Sequence, residues 1–111
     1  MEDIMAKKTR IDELFEAGID YSVPIDRFAR KAMPLLNRLA KKMKNPIRSG
    51  GAEYNDGGAR IYVNGRTSAK FLTAYEKAVR KLAREHKELK KLKLPVVSVE
   101  LGGYEIFISF C

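Results

Sequence analysis

His86 is the only histidine in the chain and Cys111 the only cysteine. Nucleophile–base pairs and thiolate zinc sites therefore have almost nothing to be built from. A helical wheel puts His86 on the apolar side of its helix with Tyr75 and Val79. That placement reads as a buried ring bonded to a carbonyl or hydroxyl, not as a general base. Cys111 has no histidine near it in sequence. Metal-assisted hydrolysis needs two or three convergent carboxylates. Only Glu100 and Glu105 can be placed together, opposite each other on a C-terminal hairpin, with Glu53 or Asp56 of another hairpin as a third ligand. They keep a metal-dependent nuclease in view as the lesser alternative. The expectation is no catalytic residue, no metal and no cofactor.

Phosphate-binding chemistry has one place to be tested, the stretch GGAEYNDGGARIYVNGRTSAK at residues 50–70. A P-loop requires Gly, four residues, then Gly-Lys-Ser/Thr. Here six residues separate Gly58 from Gly65, and Arg66 follows. The spacing fails, and no Gly-x-Gly-x-x-Gly is present. The glycines read as turns instead. What is left is a helix start at Arg66, Thr67, Ser68 and Lys70, whose open amides suit one phosphate.

The strongest chemical signal is charge. Lys and Arg number 22 against 14 Asp and Glu, a formal net charge of +8. Residues 26–48 hold eight bases and one acid, and residues 66–93 ten bases and three acids. Solvated helix faces usually mix the two signs; these hardly do. Arg27, Arg30, Arg38, Lys41 and Lys42 fall on one helix, with Lys77, Arg80, Lys81, Arg84 and Lys87 on another. With Arg66 and Lys70 at the second helix start, these twelve are the candidate phosphate contacts. Such a surface binds DNA or RNA through its backbone, with little sequence preference and strong salt dependence. The alternative is an adaptor or inhibitor that binds an acidic protein surface or a nucleoprotein complex.

The elements that must position these residues follow from periodicity. TRIDELFEAGI reads as a short helix with Thr9 as N-cap, Gly18 just past its end, and Ile11, Leu14 and Phe15 inward. A second, kinked helix runs from about 24 to 44 across Pro34 and ends at Asn45-Pro46. Asn-Asp-Gly-Gly marks a hairpin between strands 52–54 and 59–63. A long helix capped by Thr67 or Ser68 continues to about 92. Last comes a hairpin turning at Gly102-Gly103, which pairs Leu101 with Tyr104, Val99 with Ile106 and Val97 with Ile108, all six buried. The fold class is α+β, with helices packed on one face of a three- to four-stranded sheet.

That sheet leaves Arg60, Tyr62, Glu100, Glu105 and Phe107 on its other face. An open aromatic face with an arginine suits base stacking. The two glutamates oppose it, since like charges repel across a strand pair. The favoured reading has Arg60 or Arg66 neutralising them while the N-terminal helix covers part of the face. At 111 residues, 45% hydrophobic and 32% charged, the chain reads as one folded domain, with 1–8 and 45–58 flexible. No apolar run is long enough to span a membrane, and the opening residues lack a signal-peptide core. One thiol fits a reducing, cytoplasmic setting. The C-terminal strand, read as a sheet edge, offers a route to a homodimer.

Overall fold

The computed structural model describes residues 8–110. In chain order the elements are α1 (Arg10–Glu16), α2 (Ser22–Met43), β1 (Arg48–Asn55), β2 (Gly58–Asn64), α3 (Ala69–Glu85), α4 (Lys87–Leu92), β3 (Val96–Gly102) and β4 (Glu105–Phe110). The strands form one antiparallel sheet in the order β1-β2-β4-β3, and helices pack against one of its faces. The expectation of flexibility over residues 1–8 falls mostly outside the described residues, as does any reading of Cys111.

The helix signals act as their chemistry suggests. Thr9 caps α1 by accepting from the Asp12 amide, and the Asp12 carboxylate returns the bond to the Thr9 amide. The chain then leaves the helix through Gly18 at φ +71°, with Ile19 N–H reaching back to Leu14 O. Leu14 is buried, whereas Phe15 stays exposed. α1 closes one end of the sandwich. Arg10 Nε donates to Leu92 O at 2.7 Å, and Ile11 lies against Gly57. It therefore reaches only the rim of the outer sheet face. α2 runs unbroken through Pro34 and buries Ile25, Phe28, Ala29, Ala32, Leu36 and Ala40.

Four expectations are corrected. Residues 48–51 are strand, not flexible loop. Asn37 of α2 clamps Ser49 with two hydrogen bonds of 2.8 Å, and a bulge at Gly50 absorbs the extra residue. The long helix is broken at His86, whose extended backbone ends α3 and begins α4. Buried positions Phe71, Tyr75, Val79 and Ala83 recur every fourth residue, so the stripe drifts about 40° per step. The next member would be Lys87. Breaking the helix resets the phase, so that His86 and Leu89 go inward and Lys87 stays out.

The third correction concerns the C-terminal hairpin. It turns at Gly103-Tyr104, pairing Gly102 with Glu105, Leu101 with Ile106 and Val99 with Ile108. Gly103 has φ +55°, as the first central residue of a II′-type turn requires. A slip of two residues keeps every side chain on its face, so burial alone does not choose between the registers. Charge does, because the observed one separates Glu100 from Glu105. A bulge at Val97 then turns Val96 into the core and Val97 out, and Leu101 and Tyr104 are exposed as well. Fourth, β4 is an inner strand, paired on both sides. The edges are β1 and β3.

Candidate nucleic-acid interface

α2 and α3 lie side by side and antiparallel on the sheet. Near the middle, the Tyr75 hydroxyl donates to Ala32 O at 2.7 Å. At one end Phe28 meets His86 edge-on, with ring centres 5.6 Å apart. At the other, the buried Asn45 side chain donates to Arg66 O at 2.8 Å and accepts from the Ser68 amide at 3.3 Å. Ser68 in turn caps α3 by accepting from Phe71 N–H. The chain can enter α3 this way only because residue 65 is glycine. It sits at φ +109°, and a Cβ there would stand 2.3 Å from Pro46 O.

This pairing decides which cations meet. Arg38, Lys41 and Lys42 at the end of α2 adjoin Arg66 and Lys70 at the start of α3. At the start of α2, Arg27 pairs with Glu88 of α4 and Lys31 lies near His86, while Arg84 stands with Lys90 and Lys93 beside the start of β3. Lys77 and Lys81 lie between. Nine of the twelve candidates are exposed and make no ion pair among the described residues: Arg38, Lys41, Lys42, Arg66, Lys70, Lys77, Lys81, Arg84 and Lys87.

The other three have partners. Arg27 bridges to Glu88 at 2.5 Å, tying α2 to α4. Arg30 bridges to Asp26 at 2.9 Å. Asp26 also accepts from the Tyr54 amide, and that bond, with Arg30 behind it, holds its carboxyl below the usual range. Arg80 is placed away from the outer surface. Its guanidinium turns down to β3, donating to Val96 O and Val97 O at 2.8 Å each while bridging Glu76. It fastens a strand. Sequence reasoning passed over Lys31, which lies close enough to lower the pKa of His86.

At the start of α3, Ser68 N–H is taken by Asn45 and Phe71 N–H by the cap, which leaves the Ala69 and Lys70 amides for a phosphate. His86 is buried as expected, but its side chain makes no hydrogen bond among the described residues, and Nδ1 is fully enclosed. Burial, with Lys31 adding to it and Glu88 opposing, pushes its pKa down.

The outer sheet face has a different character. Arg60 Nε lies 3.1 Å from Glu105 Oε1 and its guanidinium over the Tyr62 ring, while Tyr62 donates to Glu53. Phe107 lies across Gly58 and Tyr62 across Gly51, each ring covering a backbone that lacks a side chain. The arginine is already neutralised, as the sequence suggested, and Glu100 adds another negative charge. Glu100 faces Phe107 across the strands rather than Glu105, so the directly opposed carboxylate pair on which the nuclease alternative rested does not form. Among the described residues no group of three or more His, Cys, Asp or Glu is placed to hold a metal ion. Nor is any helix among them long and apolar enough to cross a membrane.

No protein-family model, curated protein or solved structure matches this chain, and the reading of its surfaces rests on their own chemistry.

Proposed function

We propose that the protein binds nucleic acid through its phosphate backbone, using the outward faces of α2 and α3. The observation that carries this reading is the antiparallel pairing of the two helices, which brings together seven cations on α2 and α3, with Arg66 and Lys87 just beyond the two ends of α3, none with an ion pair among the described residues. α2 alone is about 33 Å long, enough to follow several phosphates of a duplex or an extended strand. Lysines and arginines of this kind neutralise phosphates and release counterions, contacts that position the protein without carrying sequence information. DNA and RNA are both accommodated. We assign the protein to the cytoplasm, since the fold requires no disulfide and its partner would be found there.

The test is affinity for unrelated DNA and RNA oligonucleotides across a salt series. Each phosphate contact on duplex DNA adds about −0.9 to the slope of log affinity against log salt. About five contacts give a slope of roughly −4 to −5. Lys41→Glu with Lys42→Glu should weaken every oligonucleotide about equally and flatten that slope. Affinity that does not change with salt would exclude the reading. A protein that retards no oligonucleotide but co-purifies with an acidic protein would support the adaptor instead.

A further inference from the structure

The two edges of the sheet are treated differently. On β1, α2 closes the open side: Asn37 takes both the N–H and the C=O of Ser49, and Asp26 takes the N–H of Tyr54. On β3, only Arg80 does so, and only at Val96 O and Val97 O. In a hairpin with a two-residue turn, Gly102 and Glu105 exchange both hydrogen bonds and the pattern alternates from there. Val99 and Leu101 therefore point their N–H and C=O groups outward, and no side chain among the described residues reaches them. Leu101 is 41% exposed and the neighbouring Val97 47%. Native proteins commonly blunt such an edge. Among the described residues this one is left open over its second half.

Beside the start of β3, about 10 Å along the strand from Val99, is a groove of about 630 Å³ between α3, α4 and the chain entering the strand. Leu89, Leu94, Pro95 and Val96 make an apolar floor, and Arg84, Lys90 and Lys93 stand on the rim. None of these three rim residues has an ion pair among the described residues. The lining has no aromatic ring to stack a base and no acceptor side chain to read one. The unpaired cations on the rim suit a segment that carries carboxylates.

We propose that the β3 edge and this groove dock an extended acidic peptide segment as a fifth strand. Its main chain would pair with Val99 and Leu101, an aliphatic side chain would enter the groove, and its carboxylates would meet Arg84, Lys90 and Lys93. This is strand addition, with backbone bonds supplying affinity and the groove selectivity. The groove shares Arg84 with the candidate phosphate contacts, whereas Lys90 and Lys93 belong to the groove alone and are the residues that separate the two readings.

The probe is a fluorescent peptide of alternating Glu and Val, with alternating Lys and Val as control. The acidic peptide should bind and the basic one should not. Lys90→Glu with Lys93→Glu should weaken binding roughly tenfold or more, while Lys41→Glu with Lys42→Glu leaves it unchanged. At saturation the Val99 and Leu101 amides should gain protection from hydrogen exchange. The proposal is overturned if the acidic peptide does not bind, if the Lys90 and Lys93 reversals leave its affinity intact, or if those two amides stay unprotected. It is also overturned if the same reversals weaken oligonucleotide and peptide alike, which would make the groove part of the nucleic-acid surface.

Discussion

A single imidazole sets the protein's response to mild acid. His86 is buried against Phe28 with Lys31 nearby, and its folded pKa lies below its ordinary value of 6.5. The unfolded chain therefore takes up a proton at a higher pH than the folded one does. Stability is complete above about pH 6.5 and falls as the pH drops from there through the lowered folded value. As this is the only histidine, urea titrations between about pH 7 and 5 isolate it. His86→Phe should flatten that dependence; a slope that survives the substitution would assign it elsewhere. Asp26 governs a lower window. Its depressed pKa gives stability that is present above 3.8 and lost as the pH falls through the folded value. The sequence showed that His86 is buried but not that its ring has no hydrogen-bond partner among the described residues, because a wheel reports the side of a helix and not what waits there.

At the scale of elements, two backbone positions carry most of the information. Gly65 lets the chain pass Pro46 on its way into α3, and Gly65→Ala should cost about 2 kcal/mol or more in equilibrium unfolding. Lys44 is the opposite case. It ends α2 at φ 56°, a conformation that costs a side-chain-bearing residue about 1 kcal/mol. Lys44→Gly should therefore raise the unfolding midpoint, by up to about 1 kcal/mol of stability. Caps and turns were legible where the chemistry is local: Thr9 before α1, Thr67 or Ser68 before α3, and Asn-Asp-Gly-Gly between β1 and β2. The C-terminal register was not, because Gly102-Gly103-Tyr104 admits two turns one residue apart, whose registers differ by two residues and bury the same side. The break at His86 was hidden too, since no Gly or Pro marks it and only the drifting stripe requires it.

For the molecule as a whole, the sequence revealed the segregation of charge but not its geography. That α2 and α3 are neighbours depends on Tyr75 reaching Ala32 and Asn45 reaching Arg66, contacts between residues far apart in the chain. The same topology removes Arg80 from the set, because β3 lies under it. It also gives the protein two unlike sides, a cationic helical layer and a sheet face carrying Glu53, Glu100 and Glu105. Substitutions on the sheet face, such as Glu100→Gln, should leave oligonucleotide affinity nearly unchanged compared with reversals on α2, which a single binding isotherm for each variant would establish.

The packing of α2 against α3 has a thermodynamic side as well. Nine like charges held on α2 and α3 or just beyond the ends of α3 repel one another in the free protein, and that self-repulsion is part of the work of folding. Dissolved ions relieve it within a Debye length of about 10 Å at 0.1 M. Raising the salt should therefore lift the melting temperature of the free protein while it loosens any polyanion bound to the same layer. Fold and complex would answer one variable with opposite signs. A bound polyanion would play the role of the missing counterions, so that the ligand completes the electrostatics of the fold it occupies.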